Sequence, residues 1–125
     1  MDYKKIIANM TLEEKALELS QVAAADIIQD ADAVVTGISH SGVPREQLGE
    51  IGSVLNFSGI EAAKKIRSAP FVKKDNPLLL MQDVVHGYKT VYPLNIAIGG
   101  TFDLELAEAC AEMSAIEAKA NGVNV

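Results

Sequence analysis

Asp83 and His86 stand three positions apart, directly after the apolar run Leu78-Leu-Leu-Met81. A carboxylate and an imidazole at that separation can form an acid/base couple, or supply two of the ligands a metal ion needs. Two ligands do not complete a metal site. The second histidine, His40, lies in a Gly/Ser-containing stretch with no ligand partner near it in the sequence, so no metal is expected. His86 is read instead as supporting the turn before Gly87, with Gln82 beside it. Asp83 is the leading site candidate, because a carboxylate that ends a buried strand is costly without partners or a ligand. On the sequence alone it either binds a ligand or accepts backbone N–H bonds from its own loop.

Other chemistry-bearing groups carry less. Gly99-Gly100-Thr101 ahead of a helix could present N–H groups to an anion, but no Lys-Ser/Thr follows and the third glycine of a dinucleotide fingerprint is missing, so a bend entering the helix is expected. Asp26, Asp30 and Asp32 lack the alternation and glycine of a calcium loop and read as a solvated stretch. Cys110 falls on the apolar side of its helix and reads as a small buried hydrophobe. Lys64-Lys65 and Lys73-Lys74 are too short a basic set to offset an acidic chain.

The elements that must position Asp83 follow from period and punctuation. Thr11 and Glu14 have capping-box spacing, and Leu12, Ala16, Leu19 and Ala23 recur at helical intervals, which predicts one helix running to about Ile28. Residues 29–47 carry Gly37, Ser39, Ser41, Gly42 and Pro44 without a period and read as a long loop with a helical turn near Glu46. Ile51-Gly-Ser-Val-Leu-Asn56 reads as a strand. Ser58 and Glu61 then have the spacing of a second capping box, for a helix with Ile60, Ala63 and Ile66 on one face. A polar turn from Lys73 to Asn76 leads into the strand Leu78-Leu-Leu-Met81, whose unbroken apolar character predicts burial on both faces. After an irregular stretch over 84–100, Asp103 caps a long helix with Leu106, Cys110, Met113 and Ala120 inward, closed by Asn121-Gly122. Val123-Asn-Val125 reads as the start of a third strand. The predicted class is α/β with a parallel sheet: an N-terminal helix, two βα units and that strand start. If the parent fold is a (β/α)8 barrel, which typically needs about 250 residues, this chain of 125 holds too little to close one and is a fragment.

Composition limits the partners. With 11 Lys+Arg against 17 Asp+Glu the net charge is −6, and three Tyr, three Phe and no Trp leave little to stack bases on, so nucleic acid is not expected. One cysteine cannot form an internal disulfide, and MDYKKIIANMTLEEK has no apolar leader core; the expected location is the cytoplasm. No apolar run approaches a membrane span, and with 49% apolar residues the chain can build a core. No cofactor is expected.

Taken together, MTLEEKALELSQ, IGSVLN, MQDVVHGYKTVYPLNIAIGGTFDLELAE and EAKANGVNV resemble the N-terminal barrel portion of glycoside hydrolase family 3, the family of bacterial β-glucosidases and β-xylosidases. The likeness covers nearly the whole chain, making residues 1–125 a partial barrel domain, and QDVVHG is its most specific segment. It implies a retaining glycosidase with a (β/α)8 barrel followed by an α/β sandwich, acting on β-linked glycosides through an Asp nucleophile and a Glu acid/base about 5–5.5 Å apart. The family's Ser/Thr-Asp-aromatic nucleophile motif has no match here, since Phe102 separates Thr101 from Asp103, and its Lys-His pair is also missing. No catalytic residue is therefore assigned. Asp83 alone carries over, matching the carboxylate that grips hydroxyls of the nonreducing-end sugar. The expected partner is the remainder of the enzyme or a second copy of this chain. The alternative is a catalytically silent α/β module that self-associates or binds a partner.

Overall fold

The computed structural model describes residues 2–28, 41–72 and 78–125. Two short helices open the chain, α1 (Tyr3–Asn9) and α2 (Leu12–Glu18). Asp2 caps α1 through the Lys5 N–H, and the sequence reading has no counterpart for that helix. The capping box of α2 forms as expected: Thr11 Oγ1 accepts from the Glu14 N–H at 3.1 Å and Glu14 accepts from the Thr11 N–H at 2.7 Å.

The helix predicted to run on to Ile28 stops at Glu18, and Gln21–Ala23 is instead strand β1, followed by one turn of helix, α3 (Ala24–Ile27). Leu12 and Leu19, on the predicted inner face, are 83% and 89% exposed, while Val22 is buried. Burial of that β-branched side chain and a parallel ladder outweigh a weak helical pattern here. The Ser20 hydroxyl donates to the Ala16 carbonyl at the point where the helix ends. Gly52 lets the two segments close up, because a methyl there would run into the Glu18 carbonyl.

A 3₁₀ helix (Arg45–Glu50) supplies the expected turn near Glu46. It is followed by β2 (Ser53–Leu55), α4 (Gly59–Arg67), β3 (Leu79–Met81), α5 (Asn95–Gly99) and α6 (Leu104–Ala120). The sheet is parallel in the order β1-β2-β3. Its register places Val22, Val54 and Leu80 in one rung, all at most 2% exposed. They form a core with Ile51, Phe57, Ala63 and Ile66. The structure is thus α/β with a small parallel sheet of three strands, one more than the two that the sequence predicts ahead of the strand start at 123–125.

Three further expectations change. Ser58 makes no side-chain cap bond; Gly59 enters α4 at φ 78°, which carries Ser58 away from the box geometry, and Glu61 pairs with Lys64 at 2.7 Å instead. Strand β3 is not buried on both faces: Leu80 is covered but Leu79 is 43% exposed. Helix α6 is capped by Asp103 as predicted, its Oδ1 accepting from the Leu106 N–H at 3.0 Å. Its buried positions, however, are Ser114 and Ala118, while Leu106 and Met113 are exposed, Ala120 is exposed and Cys110 is only half-buried. The small residues are the ones that pack, since they let the helix backbone approach.

The end of α6 is a paired turn. The Val123 N–H reaches the Ala118 carbonyl and the Gly122 N–H the Lys119 carbonyl, with Gly122 at φ 98°. The chain then lies along β3. The Asn124 N–H donates to the Leu80 carbonyl at 3.0 Å. Its side-chain Oδ1 accepts from the Leu80 N–H at 2.6 Å and its Nδ2 donates to the Leu78 carbonyl at 3.2 Å. One asparagine thereby satisfies two backbone groups of β3 and the carbonyl of Leu78 just before it, on the side away from β2. The predicted third strand start thus lies where a next strand would pair, although it is not itself a strand. His40, Asp30, Asp32 and the 73–76 turn fall outside the described residues.

Candidate functional site

The C-terminal ends of β2 and β3 lie side by side. After β2 the chain turns sharply at buried Asn56 (φ 62°), whose N–H donates to the Met81 carbonyl at 3.2 Å and ties the two strand ends together. Phe57 and Ser58 follow, and across from them Gln82 and Asp83 follow β3. With Gly87, Tyr88 and Lys89 of the next turn they enclose a small cleft of about 180 Å³. This is the edge of a parallel sheet at which α/β proteins receive ligands.

Asp83 is exposed there, and its carboxylate accepts no hydrogen bond among the described residues. The backbone N–H bonds that a purely loop-fixing role requires are not made. It is also the sole carboxylate lining the small cleft among the described residues, so the cleft offers an acceptor for hydroxyl groups without an acid/base pair. No group of three or more His, Cys, Asp or Glu side chains among the described residues could hold a metal ion.

Gln82 and His86 stand behind Asp83, facing a larger cleft of about 980 Å³ between the 82–99 segment and α6. Gln82 Oε1 and His86 Nδ1 are buried without a hydrogen-bond partner. The expected structural bond from the His86 side chain to the turn is not seen at Nδ1 among the described residues, and the contact with the turn is a backbone one, the His86 carbonyl accepting from the Tyr92 N–H at 2.8 Å. Cys110 also lines the larger cleft. The Gly99-Gly100-Thr101 segment is the bend between α5 and α6, with the Thr101 hydroxyl donating to the Ile98 carbonyl at 2.6 Å. Asp26 accepts from the Ser41 N–H at 3.1 Å.

The turn beside Asp83 is pinned from several directions. Gly87 and Val91 form an antiparallel bridge. Gly87 sits at φ 115°, where a methyl would strike the Thr90 carbonyl. Tyr88 Oη accepts from the Gly59 N–H at 3.2 Å, fastening the turn to the start of α4. From the other side Glu117 of α6 accepts from the Lys89 N–H at 3.0 Å, the Thr90 N–H at 2.9 Å and the Thr90 hydroxyl at 2.6 Å. The Thr90 hydroxyl bond first and the Thr90 N–H bond second hold the Glu117 carboxyl below its ordinary range against an opposing desolvation, with smaller help from the Lys89 N–H and the Lys89 charge.

Sequence reasoning did not find Glu117. A signal existed, since a carboxylate in the last turn of a helix opposes the helix dipole and calls for a compensating donor.

No family model matches the chain. Among the described residues no helix is long and apolar enough to cross a membrane. A curated relative, a protein named periplasmic beta-glucosidase from Salmonella typhimurium (strain LT2), is 27% identical over 79 residues, which is 62% of this chain and 10% of the relative. The chain therefore spans about a tenth of the length of that relative, and the likeness to a β-glucosidase is a distant one.

Proposed function

We propose that the chain is the sugar-gripping N-terminal part of a β-glucosidase-like glycoside hydrolase of family 3, built as the opening strands and helices of a (β/α)8 barrel. The observation that carries this reading is Asp83: an exposed carboxylate with no protein hydrogen bond among the described residues, at the C-terminal end of a parallel strand. The distant likeness to a β-glucosidase supports the substrate class. Two carboxylate oxygens can each accept a hydroxyl of a vicinal diol, and such charge-assisted bonds both orient and bind a pyranose. Retaining hydrolysis needs a second carboxyl group about 5–5.5 Å from the first. The Asp83 cleft supplies one, so the chain binds β-glucosides or β-xylosides and leaves catalysis to the remainder of the enzyme.

Two assays test this. Methyl β-glucoside titrated into the labelled chain is expected to shift the backbone resonances of Asp83, Gly87 and Tyr88 saturably; absence of any saturable shift would overturn the reading. Aryl β-glucosides are expected to stay intact in a preparation free of host glycosidase, and turnover above the buffer blank would contradict the single-carboxylate assignment.

The alternative, a self-associating α/β module, is favoured by Ile96, Phe102 and Leu104 around the α5–α6 bend, which are 85%, 95% and 85% exposed. An apolar set of this kind favours association. Light scattering on a size-exclusion peak should then show a dimer or larger species, and a clean monomer with a cooperative melt would count against it. We propose a cytoplasmic location because the single cysteine, Cys110, cannot form an internal disulfide, whereas the curated relative is named periplasmic. Cell fractionation decides between them.

A further inference from the structure

We propose that Glu117 is a positioning residue for the Asp83 cleft, acting through the 87–91 turn. Glu117 does not line that cleft, so it has no direct route to a ligand there. Its carboxylate nevertheless fixes the two residues that follow Tyr88: Oε2 accepts from both the Lys89 and Thr90 N–H groups, and Oε1 accepts from the Thr90 hydroxyl. Gly87, Tyr88 and Lys89 form one wall of the cleft. Tyr88 anchors that wall to α4 through the Gly59 N–H. A methyl on Gly87 would strike the Thr90 carbonyl, so the backbone of the turn packs closely on itself at the residue Glu117 holds.

The geometry also says which substitutions preserve the clamp. Glutamine keeps one oxygen for the two backbone N–H groups, and its amide can donate to the Thr90 hydroxyl, which accepts as readily as it donates. Aspartate is a methylene too short, and alanine offers nothing. This inference rests on the saccharide-binding reading only for its effect on affinity. The clamp itself is read out without any sugar.

The test compares the full chain with Glu117→Ala, Glu117→Asp and Glu117→Gln by amide hydrogen exchange and by methyl β-glucoside titration. Exchange at Lys89 and Thr90 is expected to accelerate about tenfold or more in the Ala and Asp variants, to return near the parent rate in Gln, and to leave the α6 interior amides unchanged. Unchanged protection of Lys89 and Thr90 in Glu117→Ala would overturn the clamp. Equal acceleration in Gln would overturn the assigned bond pattern. Sugar affinity is expected to weaken several-fold in Ala and recover in Gln; parent affinity in a Glu117→Ala chain whose turn has loosened would overturn the positioning role. If the parent chain binds no sugar while the exchange pattern holds, the saccharide reading fails and the clamp on the turn stands.

Discussion

Helices α1 and α2 contribute no buried residue, whereas β3, the start of α4, the 87–91 turn and α6 are tied by bonds linking Asn124 to Leu78 and Leu80, Tyr88 to Gly59 and Glu117 to Lys89, across long stretches of chain. The first region is made of local signals: a cap, a capping box and a helical rise. The second region is made of side chains that satisfy backbone groups far away in sequence. Local signals build elements, but placing a carboxylate at a strand end and walling it requires the distant polar ties. The candidate site accordingly sits in the second region.

The largest expected contrast is between the two regions' leucines. Leu80 is fully buried in the central rung, and Leu80→Ala should cost about 2–5 kcal/mol through lost burial and the cavity left behind. Leu19 is 89% exposed, and Leu19→Ala should change stability by about 0.5 kcal/mol or less. Chemical denaturation of both variants checks this. Equal losses would mean that α2 packs on the core after all.

Glycines at positive φ give the next contrast. At Gly122 (φ 98°) a methyl would lie 2.5 Å from Ala63 Cβ, whereas at Gly42 (φ 74°) it would meet nothing within 4 Å. Gly122→Ala adds overpacking to backbone strain and should cost about 2–5 kcal/mol, against about 1–2 kcal/mol for Gly42→Ala. Asn124→Ala is expected to fall between them, at about 1–3 kcal/mol, because it strips one bond from β3 and one from Leu78 just before it.

These contrasts also show what the sequence could reveal. The capped start of helix α2, the strands at Ser53–Leu55 and Leu79–Met81, and α6 with its Asp103 cap and Gly122 stop were legible, because caps and short apolar runs bounded by breakers are local. Strand β1 was hidden: with three residues, Val22 among them, it fell inside an i, i+3, i+4 pattern and became a strand only once β2 offered a ladder. Asp83 was legible as a carboxylate ending a strand. The Glu117 bonds to residues 27 and 28 positions earlier were not, since nothing local records such a pairing.

The smallest effect concerns acid. Hydrogen bonds from Thr90 and Lys89 hold the folded-state pKa of Glu117 below its unfolded value. Its contribution is therefore fully present above the unfolded pKa of about 4.3 and disappears as the pH falls through the lower folded value. Because the group is open to solvent, a modest slope is expected. The fall in melting temperature below about pH 4.3 should be shallower in Glu117→Gln than in the parent chain. Parallel curves would mean the carboxylate is not engaged in solution.

The most direct measurement pairs melting temperature with methyl β-glucoside affinity on Asp83→Ala. Loss of two charge-assisted bonds, each worth about 1.5–3 kcal/mol, should remove detectable binding while the melting temperature stays within a degree or two, since the exposed carboxylate holds no part of the fold among the described residues. A marked drop in melting temperature with parent-like affinity would contradict the account and return Asp83 to a loop-fixing role.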